Sequence, residues 1–129
     1  MIQRLSHSTV FVFDQDQARK FYVEVLGFEL KMDFDLGEFR WLTVSPRGQP
    51  DLQLVLMPVV SPEVRELVAK GSMPTGVFRT ADCRRTYEEL SAKGVEFSQP
   101  PTDRFFGVEA VFKDPFGNRF NLTGPKPEV

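Results

Sequence analysis

The feature that most limits how this chain can fold is an internal repeat. The segments His7–Asp14 and Thr75–Asp82 are both strand-like, rich in β-branched and aromatic residues, and both end on an aspartate suited to cap a helix. A glycine follows that aspartate after thirteen positions in the first copy (Gly27) and after twelve in the second (Gly94), and a proline follows each glycine after thirty-one. This agreement in spacing indicates a duplicated unit.

Each copy then continues as one helix and three strands. Apolar residues recur at helical spacing between the aspartate and the glycine, namely Ala18, Phe21, Tyr22 and Val25 in the first copy and Cys83, Tyr87 and Leu90 in the second. After the glycines, strands are predicted over Phe28–Phe34, Phe39–Ser45 and Leu52–Met57, and over Val95–Ser98, Val108–Lys113 and Arg119–Thr123. Between the copies, Ser61 and Pro62 predict the start of a short helix that ends near Gly71.

The resulting β-α-β-β-β unit has a sheet with a helix on one face only. Its other face, with aromatic residues such as Phe39, Trp41 and Phe112, has to be covered or has to line a cavity. We therefore predict an α+β fold in one domain over residues 1–129, with βαβββ modules at 5–58 and 75–125 that form a cup-shaped eight-stranded mixed sheet. Whether the modules pair within one chain or are swapped between two chains is left open by the sequence.

Composition narrows the functional classes. The 129 residues are 41% hydrophobic and 26% charged, with a net charge of -2, and this balance argues against a nucleic-acid binder. No apolar run approaches the ~18–20 residues that span a bilayer, so we expect no membrane segment and no signal peptide. Cys83 is the only cysteine, so no disulfide can form within the chain and a cytoplasmic location is expected.

Four segments resemble the vicinal oxygen chelate superfamily, which includes glyoxalase I, extradiol dioxygenases and the fosfomycin- and bleomycin-resistance proteins. They are Leu5-Ser-His7, Phe21-Tyr-Val-Glu-Val-Leu-Gly-Phe28, Tyr87-Glu-Glu-Leu-Ser-Ala-Lys-Gly-Val-Glu-Phe97 and Asp114-Pro-Phe-Gly-Asn118. The resemblance covers roughly Leu5 to Gly124. It implies paired βαβββ modules, a cup-shaped binding site and a homodimer, but it is weak evidence for any one reaction.

The resemblance also implies where a metal ion would bind. In metal-dependent relatives the ligands are two histidines and a glutamate, and these positions fall here on His7, Thr75 and Asn121. A fourth ligand position falls on Leu54 by repeat spacing, while the nearest polar residue is Gln53. One imidazole with a hydroxyl and one or two amides is a poor, uncharged set for a divalent metal. We therefore predict no metal cofactor, with His7 as the single weak candidate ligand.

His7 has three interpretations. It is a strand histidine hydrogen-bonded to a neighbour such as Asn121, an acid or base that contacts a ligand, or a metal ligand. The other candidate ligand-binding residues are polar or aromatic positions expected near the cup, namely Phe39, Trp41, Gln53, Thr75, Arg104, Phe106 and Asn121. Phe39 and Trp41 can equally belong to a core, and Arg104 can equally be a solvated loop residue. Cys83, on the apolar stripe of its helix, is expected to be a buried and inert thiol.

Two main functional hypotheses follow, beside a third one, a dimeric interaction module that binds no ligand. The first is a binding protein of the bleomycin-resistance type, which holds a small organic molecule without a catalytic metal. The alternative is a metal-dependent lyase or dioxygenase of the same superfamily with an atypical site. A homodimer is expected in both cases, because half-open sheets leave aromatic faces and edge strands exposed.

Overall fold

Both copies of the repeat form a β-α-β-β-β unit in a computed structural model that describes residues 1–127. The first copy contains β1 (His7–Val12), α1 (Gln15–Arg19), β2 (Glu29–Asp35), β3 (Arg40–Ser45) and β4 (Gln53–Pro58). A helix, α2 (Pro62–Ala69), follows. The second copy contains β5 (Val77–Arg79), α3 (Cys83–Ala92), β6 (Glu96–Arg104), β7 (Gly107–Lys113) and β8 (Arg119–Gly124).

The eight strands lie in two four-stranded mixed sheets of the same topology. The strand orders are β1-β4-β3-β2 and β5-β8-β7-β6, and the first pair of each sheet is parallel while the others are antiparallel. The chain divides into two compact units, Met1–Val68 and Ala69–Val129. One predicted module falls within each unit, and the predicted α+β fold class is confirmed.

The helix ends follow the local sequence. The Asp14 carboxylate accepts a hydrogen bond from the Gln17 amide at 2.8 Å, and Asp82 accepts one from the Arg85 amide at 3.1 Å, so both predicted N-caps are confirmed. Gly27 and Gly94 follow the two helical segments with φ of 78° and 90°, a conformation that glycine adopts without steric cost. None of the helices described for residues 1–127 is both long enough and apolar enough to cross a membrane.

The first helix differs from the prediction. Only Gln15–Arg19 is α-helical, and Lys20–Val25 continues as a π-helical turn in which the Leu26 amide donates to the Phe21 carbonyl. The apolar stripe is spaced for an α-helix, yet the wider π turn still buries both Phe21 and Tyr22. Packing of these two rings therefore matters more here than an unbroken α-helical ladder.

The strand β6 is longer than the sequence predicts. Gln99, Pro100 and Pro101 were expected to end it, but it runs from Glu96 to Arg104 with two irregularities in its pairing to β7. Proline has no backbone N–H to donate to a neighbouring strand. It is therefore tolerated in an edge strand, and β6 is at the edge of its sheet. Arg104 therefore lies at the end of a strand rather than within a loop, and Phe105 and Phe106 form the turn to β7.

Phe112 was assigned to the open face of its sheet, and that assignment is wrong. Its side chain is 2% exposed and its ring lies among Phe78, Phe97 and Phe120, with Tyr87 of α3 against Phe97. Alternation along β7 therefore directs Val108, Ala110 and Phe112 towards the helix and the intervening residues to the opposite face. Cys83 is buried as predicted, and burial raises the pKa of its thiol.

Candidate functional site

In the first unit, aromatic residues lie on the face of the sheet opposite α1. We call this surface the aromatic face and define it by His7, Phe34, Phe39, Trp41, Thr43 and Gln53. The ring centroid of Trp41 lies 6.0 Å from that of His7 and 6.1 Å from that of Phe39. Phe34 pairs with Trp41 across β2 and β3 and is 55% exposed. The face therefore presents a row of rings on the side of the sheet away from α1.

Strand alternation explains why these residues share a face. Leu42 and Val44 are fully buried on the helix side of β3, so Trp41 and Thr43 lie on the other side. The Thr43 hydroxyl donates to Gln53 Oε1 at 2.7 Å, which ties β3 to β4 beneath the rings. The hydrogen-bonded side chains of Thr43 and Gln53 are thus the polar part of the aromatic face.

The structure also places the sequence-predicted candidates of this unit. Gln53 lies on the aromatic face, whereas Leu54, the position indicated by repeat spacing, is buried on the helix side. His7 is exposed, and its Nδ1 forms a hydrogen bond of 3.0 Å with the Ser6 hydroxyl. The hydrogen-bond partner of His7 is therefore Ser6, and the expected partner Asn121 bonds within its own unit.

In the second unit, the face of the sheet opposite α3 is polar. We call it the polar face and define it by Gln99, Arg104, Glu109 and Asn121. Asn121 Nδ2 donates to Glu109 Oε2 at 3.0 Å, while Gln99 Nε2 and Arg104 Nε both donate to Glu109 Oε1 at 3.3 Å. Arg104 also donates to Gln99 Oε1 at 3.4 Å. Two strands, β6 and β8, therefore direct hydrogen-bond donors at one carboxylate on β7.

Glu109 is the residue of this network that sequence reasoning missed. Burial opposes ionisation of its side chain, which is 17% exposed, but the bonds from Asn121, Gln99 and Arg104 outweigh burial and hold the pKa of the carboxyl below its usual value. In the sequence, Glu109 reads as an ordinary outward residue between Val108 and Ala110. The available signal was its alternation with those two residues, which places it on the face opposite the helix.

Two predicted residues of the second unit are bound differently from the expectation. Arg104 lies at the end of β6 and not in a loop, and its side chain is 42% exposed while its guanidinium lies against Glu109 and Gln99. The Thr75 hydroxyl donates to the backbone carbonyl of Arg119 ahead of β5, so it ties two strands together. Phe106 lies in the β6–β7 turn, 50% exposed and edge-on to Phe105.

The donors at these positions fit a divalent metal poorly. Within residues 1–127, no three His, Cys, Asp or Glu side chains come together in a way that could hold a metal ion. The carboxylate nearest to the predicted position Asn121 is Glu109, and it already accepts a bond from the Arg104 cation. A positive guanidinium beside the only carboxylate of the network opposes the binding of a second cation.

Comparisons with known proteins agree on one family. A model described as the Glyoxalase/Bleomycin resistance protein/Dioxygenase superfamily matches residues 4–122. The protein YurT of Bacillus subtilis (strain 168) is 41% identical over 119 residues, which are 89% of this chain and 94% of YurT.

Two crystal structures are similar over nearly the full chain. UcmS2 is 47% identical with a TM-score of 0.90, covering 95% of this chain and 98% of its own. TnmS3, described as an antibiotic binding protein from Streptomyces sp. CB03234, is 34% identical with a TM-score of 0.82, covering 97% of this chain and 98% of its own.

Proposed function

The chain belongs to the glyoxalase/bleomycin resistance protein/dioxygenase superfamily, and we propose that within it the protein binds a small organic molecule with a planar aromatic part and does so without a catalytic metal. The observation that carries this proposal is the aromatic face, where Trp41 lies between the rings of His7 and Phe39. Flat rings on a rigid strand offer a large contact area with little loss of side-chain entropy on binding.

The similarity to TnmS3 supports the same class of ligand. That relative is described as an antibiotic binding protein, and it shares 34% of its residues with this chain over almost the whole length of both. We propose that the molecule bound here is likewise an antibiotic-like compound, held by stacking on the aromatic face. The amide of Gln53, whose Oε1 accepts from the buried Thr43 hydroxyl, would orient polar groups at its edge.

The metal-dependent lyase or dioxygenase is not favoured by a specific feature of either unit. His7 bonds to Ser6 and Asn121 bonds to Glu109, so neither side chain is prepared for a metal. Such metals bind through imidazole, thiolate and carboxylate groups held together, which is a different donor set from that of either face.

The chain has a single tryptophan, which gives a direct test. In a two-dimensional 15N–1H NMR spectrum, one indole signal belongs to Trp41, and planar aromatic antibiotics should shift it on titration. For a compound that binds, Trp41→Ala should weaken the affinity about tenfold or more by calorimetry, which corresponds to about 1.4 kcal/mol. The matched control is Phe105→Ala, which removes a fully exposed ring from the second unit.

Unchanged affinity in Trp41→Ala, or an indole signal that no planar compound moves, would contradict the proposal. A loss of affinity in Phe105→Ala equal to that in Trp41→Ala would show that the aromatic face is not the binding surface. Both variants should retain the circular dichroism spectrum of the parent protein.

We also propose that the protein is a homodimer. The β2–β3 hairpin exposes Phe34, Leu36 and Phe39 by 55%, 70% and 40%, and β2 is an edge strand of its sheet. Apolar side chains beside an unpaired strand edge are the usual surface for self-association. Size-exclusion chromatography with light scattering should report about twice the mass of one chain, and a monomer at micromolar concentration would contradict this.

A further inference from the structure

The polar face of the second unit contains hydrogen-bonding capacity that its own network does not use. Glu109 Oε1 accepts two bonds, from Gln99 and Arg104, whereas Oε2 accepts one, from Asn121. A carboxylate oxygen can accept two hydrogen bonds, so Oε2 has room for a further donor. The donors of the network therefore leave one acceptor position on Glu109 Oε2 unused.

Asn121 adds a second acceptor beside the first. Its Nδ2 has to point at Glu109, because the ionised Glu109 carboxylate accepts hydrogen bonds and does not donate them. This orientation directs Oδ1 away from Glu109, and within residues 1–127 that oxygen accepts no hydrogen bond. Glu109 Oε2 and Asn121 Oδ1 are thus two acceptors on neighbouring residues of the paired strands β7 and β8.

The local charge indicates which donor the pair would accept. Arg104 lies 3.3 Å from Glu109 and offsets its charge, so an ammonium group is not required for neutrality. With the two charges offset, the pair presents neither a net negative charge that would hold a metal cation nor a net positive charge that would hold an anion. The remaining class of partner is a neutral donor, which is a hydroxyl or an amide N–H.

We propose that the polar face selects small organic molecules that carry a neutral hydrogen-bond donor, a hydroxyl or an amide N–H, whose hydrogen Glu109 Oε2 or Asn121 Oδ1 accepts. This inference rests on the proposed function, because it assumes that the protein binds a small organic molecule. It assigns Glu109 and Asn121 a role in specificity.

A matched pair of probes tests the inference. 2-Naphthol carries a hydroxyl, and 2-methoxynaphthalene carries the same rings without a donor. The parent protein should bind 2-naphthol about tenfold more tightly by calorimetry, because a hydrogen bond to an ionised acceptor is a strong one. In NMR spectra, 2-naphthol but not its ether should shift the side-chain amide signals of Asn121 and Gln99.

Variants should reduce that preference. Glu109→Gln should reduce the affinity ratio to about twofold or less, and Asn121→Ala should reduce it as well, which keeps the test valid if one variant fails to fold. The control is Glu96→Gln, the same chemical change at an exposed carboxylate on β6 that faces Lys113, and it should keep the tenfold ratio.

The outcomes distinguish this inference from the proposed function. Equal affinities with a shifted Trp41 signal would overturn the inference and leave the proposed function standing. A silent Trp41 signal, with Asn121 and Gln99 signals that respond to 2-naphthol alone, would support the inference and overturn the role of the aromatic face. A response in neither set of signals would overturn both. A hydroxyl preference that survives in both Glu109→Gln and Asn121→Ala would overturn the inference alone.

Discussion

The two units have the same strand topology and opposite surface chemistry. Thr43 pairs with Val55 in the first sheet, and Val111 pairs with Asn121 in the second, in the same antiparallel arrangement. Two residues before Thr43 and Val111 stand Trp41 and Glu109. The strand position that holds an indole in one copy therefore holds a carboxylate in the other.

This comparison shows which part of a repeat is constrained. The helix sides of both sheets are apolar and buried, since each has to form a core. The opposite faces have diverged, one into rings and the other into a hydrogen-bond network, because packing against the unit's own helix does not restrict them. Duplication preserved the scaffold, and the faces without a helix are where function could differ.

Core substitution should show the largest difference between the two sides of a sheet. Phe112→Ala should lower the free energy of unfolding by about 3–5 kcal/mol, because it leaves a cavity among Phe78, Phe97 and Phe120. Trp41→Ala, on the aromatic face, should cost only about 1–2 kcal/mol despite its larger ring. Urea denaturation measures both, and equal costs would contradict the assignment of these faces.

The ion-pair cluster of the first unit should have the next largest effect. Arg40 Nε and Nη2 donate to Asp33 at 2.8 and 3.0 Å, and Arg19 donates at 2.6 Å. The hydrogen bond from Arg40, with Arg19, lowers the pKa of Asp33 against the opposing effect of burial. Asp33→Asn should therefore lower the free energy of unfolding at pH 7 by about 2 kcal/mol.

The same cluster gives a dependence on pH with a defined sign. Because the folded pKa of Asp33 lies below its unfolded value, its stabilisation is fully present above about pH 4 and is lost as the pH falls through the folded pKa. Stability of the parent protein should fall on acidification more steeply than that of Asp33→Asn. Parallel curves for the two proteins from pH 5 to pH 2 would contradict this.

The polar face should contribute less to stability than this cluster. Glu109→Gln keeps the side-chain volume and one acceptor oxygen, so we expect a loss of about 1 kcal/mol in the free energy of unfolding at pH 7. Glu96→Gln, at an exposed ion pair with Lys113, should change it by less than about 0.5 kcal/mol. A cost for Glu109→Gln above that of Asp33→Asn would show that the polar network is primarily structural.

The smallest expected effect is that of metal removal. His7 on the aromatic face and Glu109 on the polar face each have hydrogen-bonded partners, and neither belongs to a set of metal ligands within the described residues. Treatment with a chelator should therefore leave the melting temperature unchanged, since a ligand that is not bound contributes no stabilisation. Near-stoichiometric metal by elemental analysis, lost together with stability, would contradict the metal-free proposal.

Much of the fold could be predicted from local patterns. The capping aspartates and the glycines that follow the helical segments were both recognisable, and the Asp14 and Asp82 carboxylates accept from the amides of Gln17 and Arg85, three residues on. These contacts lie within a few residues of one another, so the sequence contains both partners. The ends of strand β6 were less predictable, because tolerance of its two prolines depends on its place at the sheet edge.

Repeat spacing misplaced one equivalence by a single residue. Counting equal intervals from Gly27 and Gly94 makes Leu54 the equivalent of Asn121 in the first copy. The strand pairing instead makes Val55 the equivalent residue. A shift of one residue moves a side chain to the other face of a sheet. The candidate site was for this reason harder to predict than the elements that carry it.

The sequence by itself determined the duplicated β-α-β-β-β units, their helix ends and the apolar sides of their sheets, because spacing and residue type act locally. Only the tertiary structure decided that Glu109 meets Asn121, Gln99 and Arg104, and that Trp41 lies between His7 and Phe39. Most of these partners are distant in sequence and come from different strands. They meet only once strand order and register are set, and those depend on pairing across the whole sheet.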